Sequence, residues 1–223
     1  MTQRESKTPP LQRRLLWGVL AAVMLAIGFT AVMAPRWTRP VVGEPPMALG
    51  QAPDFSLLNR DGQTLTRSDL LGSPWVADFI FTRCAISCPR MTQRMVQLEK
   101  LWPDDLDPAR VSFSVDPEFD TPEVLQAYAD SWGIGDPRWY FLTGDREVMK
   151  SIVMEGFKLA LEMNPPPGAA SPGEPILHST RFVLVDRVGA IRGYYDVVEG
   201  GELERLTRDL RAIQAEFEAR EGR

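Results

Sequence analysis

The sequence predicts an α/β fold, an open central sheet flanked by helices, with an N-terminal transmembrane helix ahead of it. Three observations predict it. β-rich runs alternate with segments of helical period from residue 55 onward, the last two strands form a hairpin around Val188-Gly189, and residues 15–34 are twenty positions without a charge. Alternating strands and helices bury their apolar sides on one another only as layers, with helices covering a sheet.

The N-terminal run LLWGVLAAVMLAIGFTAVMA is long enough as a helix to cross a hydrocarbon core. Arg4, Lys7, Arg13 and Arg14 precede it against the single acid Glu5, so residues 1–14 are expected in the cytoplasm and everything after Pro35 outside it. The rival is a cleaved signal peptide, with small residues around Val32-Met33-Ala34; Pro35 would hinder that cleavage, and the run is longer than a signal requires. Arg13-Arg14 also resembles a twin-arginine export signal. Residues 35–53, with Pro35, Pro40, Pro45, Pro46 and Pro53, read as a stiff extended tether, and residues 54–220 as one domain. The expected location is a single-pass protein of the cell inner membrane with its domain on the periplasmic side.

Charge is divided between these parts. Residues 1–39 hold six basic residues and one acid, which leaves 19 basic and 29 acidic residues for 40–223, a net charge of −10. An acidic domain without a basic stripe excludes nucleic acid as a partner.

The elements follow in order. Phe55-Ser56-Leu57 and Thr64-Leu65-Thr66 flank Asp61-Gly62, a hairpin signal. WVADFIF (75–81) is a β-rich run that leads directly into FTRCAISCPRM. Met91, Met95, Leu98 and Trp102 then fall at helical spacing, so a helix starts at Pro89 with Cys88 at its N-cap. Strand VSFSV (111–115), a helix opened by Thr121-Pro122-Glu123, strand WYFL (139–142) and a helix over 145–157 come next. The loop NPPPGAASPGEP (164–175) leads to RFVLV and AIRGYY, and Leu203, Leu206, Leu210, Ile213 and Phe217 make one stripe of a last helix. Ligands of such sheets bind beyond the carboxyl ends of strands, where both cysteines of the chain lie.

Cys84 and Cys88 stand four apart, a spacing that random placement gives in about one case in a hundred. On a helical turn, such side chains share a face with Cβ atoms about 5 to 6 Å apart, against about 4 Å in a disulfide. The pair can close a disulfide after a small rearrangement, or hold one metal ion between two sulfurs. A helix N-terminus and Arg83 favour the thiolate, which is both nucleophile and ligand. A static structural disulfide is the plain alternative, although so short a loop gains little from closure.

His178, the only histidine, follows the proline-rich loop. Two thiolates and an imidazole make a soft three-coordinate set suited to copper(I). Zinc with these three and a water is also open, whereas structural zinc needs a fourth protein ligand.

FTRCAISCPRM, VSFSVDPEFDTPEVLQAYADSWG, WYFLTGD and ILHSTRFVLVDRVGAIRGYYD together resemble the Sco/SenC family, in order from about Pro53 to Leu210. The resemblance implies a membrane-anchored, thioredoxin-like fold. It implies a copper ion bound by Cys84, Cys88 and His178, the histidine on a mobile loop. It implies a metallochaperone that serves the dinuclear copper site of cytochrome c oxidase, whose copper-site subunit would be the partner. Asp116, with Asp120 behind it, falls on the family's VDPxxDTP segment, where it would either modulate the site from outside the ligand set or act as a turn residue. The chain departs from the family in Ala85-Ile86, where proline and an acid are usual, and in Phe119, where arginine is usual.

Asp78, in the middle of WVADFIF, must be exposed, paired or functional, because burying a lone carboxylate is costly. In thioredoxins an Asp-Phe pair six residues before the first cysteine aids proton transfer, and Asp78-Phe79 stands six before Cys84. This makes Asp78 a candidate proton carrier and supports a second function, a thiol-disulfide oxidoreductase that reduces the cysteines of the oxidase copper site or other targets. Three residues between the cysteines instead of two, and no proline directly before RFVLV, speak against it. A peroxiredoxin-type peroxidase is disfavoured because Thr82 is two residues before Cys84 where those enzymes place threonine three before.

Overall fold

The computed structural model describes residues 10–37, 43–102, 106–166, 168–169, 175–198 and 201–222. The chain divides between Val42 and Gly43 into two units. In the first, helix α1 runs Pro10–Trp37, 28 residues, and its described side chains, residues 15–29, are all exposed. Among the described residues no helix is long and apolar enough to cross a membrane. The span expected at 15–34 lies within α1 and is helical.

In the second unit the strands are β1 Gly50–Gln51, β2 Ser56–Asn59, β3 Thr64–Thr66, β4 Trp75–Ile80, β5 Ala109–Ser114, β6 Trp139–Thr143, β7 Leu161–Glu162, β8 Leu177–His178, β9 Arg181–Val185 and β10 Ala190–Asp196. The helices are α2 Ser87–Glu99, α3 Pro122–Ser131, α4 Arg146–Ser151 and α5 Glu202–Glu221. Among the described residues, eight strands form one mixed sheet in the order β1-β10-β9-β4-β5-β6-β2-β3. β4, β5 and β6 are parallel, and β9 lies antiparallel against β4 with Ala77 opposite Val183.

Every residue of β4 and β5 is buried, as expected of central strands covered on both faces. Side chains alternate across the pleat, so Phe79 and Phe113 stack at 5.6 Å and meet Phe157 and Phe55 on one face. Asp78, Ser112 and Phe141 point to the other, where Tyr128 of α3 packs on Phe141 and bonds Thr92 of α2. The α5 stripe is buried at Leu203, Leu206, Leu210 and Ile213.

This topology brings three chain segments to one end of the sheet. β4 runs out into 81–86, β5 into 115–121, and β9, running the opposite way, begins where they end. His178 sits just before it on β8, so all three segments gather at the carboxyl ends of the parallel strands.

Four local features differ from the sequence reading. α2 begins at Ser87, so Cys88 is inside its first turn and not its cap. Pro89 does not mark the start because first-turn N–H groups have no helical partner, and proline loses nothing there. The segment expected as one helix over 145–157 changes after Ser151 into a π-turn, Ile152–Gly156. Within 35–53, Gly50–Gln51 pairs with Ile191 and Ala190, and the Pro46 carbonyl accepts from Arg192. Finally, β7 and β8 pair outside the main sheet, Leu161 opposite His178.

Candidate metal and redox site

The turn from Phe81 to Ser87 is shaped by hydrogen bonds to sulfur. The Cys88 N–H donates to Cys84 Sγ at 3.3 Å, so the sulfur takes the place of an oxygen cap at a helix start whose own N-cap, Ile86, has none to offer. The Phe81 N–H donates to Cys88 Sγ at 3.4 Å. Both cysteines are buried and are not joined to each other. His178 Nε2 lies 3.4 Å from Cys88 Sγ. Its Nδ1 faces the Ser179 carbonyl at 3.1 Å, an acceptor only, so Nδ1 carries a ring proton. Phe81 packs edge-on against the imidazole.

The ligand atoms of Cys84, Cys88 and His178 all lie within 4.8 Å of one another. Three atoms each about 2.0 to 2.3 Å from a shared ion in a trigonal plane stand about 3.5 to 4 Å apart, so a small contraction suffices. The two sulfurs differ electrically. A hydrogen bond from the Cys88 thiol holds Cys84 well below the ordinary thiol range, against the opposing effect of burial. Burial, together with the Cys84 charge, pushes Cys88 up. The pair therefore rests as one thiolate and one thiol sharing a proton.

Asp116 and Asp78 stand outside this group of ligands. The Asp116 carboxylate accepts two hydrogen bonds from the Arg83 guanidinium, at 2.5 and 2.8 Å, and its backbone carbonyl accepts the N–H of Phe119 and of Asp120 in a turn. Asp116 is thus a turn aspartate whose carboxylate also holds Arg83, the residue before Cys84. Asp78 is fully buried and neither of its oxygens has a hydrogen-bond partner. Burial raises it to about 7, with the nearby Ser112 hydroxyl and His178 opposing.

Sequence reasoning placed Asp120 only behind Asp116, yet it makes the stronger connection. Fully buried, it accepts from the Thr82 hydroxyl at 2.5 Å, the Thr82 N–H at 3.1 Å and the Ser114 hydroxyl at 2.6 Å. It thereby ties the loop that carries Cys84 to the end of β5. The signal for it was a second acid four residues after Asp116, beside hydroxyl residues at 82 and 114. Asp120→Ala would take the acceptor from three donors, the buried Ser114 hydroxyl and the half-buried hydroxyl and N–H of Thr82, and it is expected to cost about 2 to 4 kcal/mol of unfolding free energy in urea at pH 7; a loss under about 1 kcal/mol would mean that the loop is held elsewhere.

Residues 46–215 match the sequence profile of the family described as SCO1/SenC. The chain belongs to the SCO1/SenC family. Among SCO1/SenC relatives, it is similar to the SCO1 protein homolog of Bacillus subtilis (strain 168), 32% identical over 160 residues that span 71% of this chain and 80% of that one. The solved structure of BsSco, described as a member of the Sco family of cytochrome c oxidase assembly proteins with a disulfide switch, aligns at TM-score 0.66 and 31% identity, over 77% of this chain and 98% of that one. ScoI of Bradyrhizobium japonicum, solved with copper bound, shares the fold at TM-score 0.60 and 23% identity, over 73% of this chain and 99% of that one. The mixed sheet with flanking helices is thus the SCO1/SenC fold, and the thioredoxin-like expectation agrees with it.

Proposed function

We propose that this chain is a copper metallochaperone: reduced Cys84 and Cys88 with His178 bind copper(I), which the chain passes to the dinuclear copper site of cytochrome c oxidase. One observation carries this reading, the convergence of two sulfurs and an imidazole nitrogen within 4.8 Å from segments ninety residues apart. Soft sulfur donors select copper(I), and imidazole completes a three-coordinate set without a fourth protein ligand. The copper-bound and oxidase-assembly descriptions of its relatives support the same choice of cargo and recipient. Uptake displaces the proton shared by the cysteines, and release to the acceptor's ligands returns it to Cys88.

In this reading residues 15–34 anchor the chain, residues 1–14 stay cytoplasmic beside the positive charges, and the domain works on the periplasmic side. The test is an anaerobic copper(I) titration of the reduced chain against a competing chelator. One tight equivalent is expected. His178→Ala should weaken it beyond the about 10- to 100-fold typical of losing an outer partner of a ligand. Binding indifferent to His178 would sink the three-ligand site.

Asp78 favours a second reading, a reductase of the cysteines of the oxidase copper site. The Cys84 thiolate would attack a target disulfide and form a mixed disulfide. Cys88 would then attack the Cys84 sulfur of the mixed disulfide, its proton passing to Asp78, and free the target's second sulfur; the target is reduced by two electrons to two thiolates that take protons from water, while this chain is oxidised to the Cys84–Cys88 disulfide. Asp78 is electrically coupled to Cys88, which supports a proton carrier there.

A further inference from the structure

We propose that Phe81 is the positioning residue of the metal site: it contacts each of the three ligand residues through a different group, and its ring sets the His178 imidazole beside the sulfurs before copper arrives. The proposal rests on the copper-binding reading and names the residue that arranges the ligands in advance.

Phe81 follows the last residue of β4 and is fully buried. Its N–H donates to Cys88 Sγ at 3.4 Å, and its carbonyl accepts the N–H of Cys84 at 3.2 Å. Its ring packs against the His178 imidazole, the centroids 5.5 Å apart and the planes at 84°. The two backbone bonds belong to the cysteine turn and do not depend on the side chain. The ring is the part that reaches the distant segment β8. Phe79, two residues earlier and equally buried, packs its ring on Phe113 and Phe157 instead.

His178 needs such a contact. An imidazole turns about two single bonds, and Nδ1 of this one bonds the carbonyl of the next residue, Ser179, 3.1 Å away. A bond to a neighbour in sequence fixes one edge of the ring and leaves its plane free to swing. The strand beneath it, β8, is two residues long and pairs with the equally short β7. A perpendicular aromatic ring held in the core supplies the second fixed point, and edge-to-face contacts are favourable in their own right. With its plane fixed, the imidazole holds Nε2 3.4 Å from Cys88 Sγ. A ring already held there loses little freedom when the metal binds, so affinity is higher than for a histidine that must first be ordered.

The chain has one histidine, so its imidazole gives a single set of ring signals in NMR. In the full reduced chain in detergent, isotope-labelled at histidine and phenylalanine and free of metal, nuclear Overhauser contacts are expected between the Phe81 and His178 rings. In Phe81→Leu the His178 signals should lose the ring-current shift that Phe81 imposes. Copper(I) affinity by chelator competition should fall about three- to tenfold in Phe81→Leu, as for one lost aromatic contact, and less than about twofold in Phe79→Leu, which removes a core ring that does not touch the histidine. Added to His178→Ala, Phe81→Leu should lower affinity no further, whereas a residue that acts only through general packing would lower it again. No contact between the two rings in the metal-free parent, equal losses from Phe79→Leu and Phe81→Leu, or a further loss on the His178→Ala background would overturn the proposal. If the parent itself takes up no copper(I), the copper-binding reading falls, and the ring contact and its shift alone decide whether Phe81 places the imidazole.

Discussion

Copper(I) binding by the reduced chain is expected to collapse in Cys84→Ser and in Cys88→Ser, by about 1,000-fold or more, given that losing a mere outer partner of a ligand costs about 10- to 100-fold. A hydroxyl is a hard, neutral donor at neutral pH, and neither serine supplies the polarisable negative charge that a thiolate offers copper(I). The two variants should nevertheless differ in how binding responds to pH. In the parent, Cys84 is already held as thiolate by the Cys88 thiol, so uptake has one proton to expel, from Cys88. Affinity should rise about tenfold per pH unit between pH 7 and 9, where two protons would give about a hundredfold. In Cys84→Ser the remaining binding keeps that dependence, because the thiol of Cys88 is buried and must still ionise. In Cys88→Ser the new hydroxyl can donate to Cys84 Sγ as the thiol did, so Cys84 stays ionised and the proton that uptake had to expel is gone. Chelator competition across this range, with unfolding curves to establish that both variants are folded, measures the affinity and its slope together. Wild-type affinity in either variant would remove that sulfur from the ligand set.

Much of this site was legible before any coordinates. A run such as WVADFIF announces a central strand because both its faces are buried, and FTRCAISCPRM follows it directly, so Cys84 and Cys88 had to lie at a strand end. His178 was placed by chain order before the RFVLV strand, and the antiparallel pairing of β9 with β4 puts it beside Cys88. What could not be read depends on contacts between distant, very short segments. β7 and β8 are two residues each, too short for any periodicity, yet their pairing sets Leu161 opposite His178. Gly50–Gln51 is likewise a strand only because β10 offers it an edge. The start of α2 was misplaced by two residues because the cap is a sulfur, Cys84 Sγ, and not the oxygen that sequence rules look for. Asp120 was read only as the residue behind Asp116 for a related reason: its partners Thr82 and Ser114 are polar residues of the kind found in any loop, and only burial makes their hydrogen bonds costly to lose.

Asp78→Asn is expected to make the folded chain more stable at pH 8 and to leave it nearly unchanged below about pH 4. In the folded chain burial holds the Asp78 carboxyl neutral up to about pH 7, against an ordinary value of 3.8. The folded state therefore binds this proton more tightly than the unfolded state. The stability it contributes is complete below about pH 4, declines as pH rises, and is gone above about 7; the separation corresponds to about 4 kcal/mol. Asparagine has the same shape and no charge to desolvate, so the variant should not show that decline. Urea unfolding of the reduced parent and variant between pH 4 and 9 measures the difference. Curves that stay parallel would mean that the carboxylate is solvated or paired in the folded chain, contrary to its burial and its two unpartnered oxygens. A penalty of this size in a central strand, opposite Ser112 and within electrical reach of Cys88, is easiest to understand if the charge is used. The variant also separates the two functional readings: as a proton carrier for Cys88, Asp78 would be needed for disulfide reduction, and Asp78→Asn should slow that reaction while copper(I) affinity, set by two sulfurs and a nitrogen, is kept.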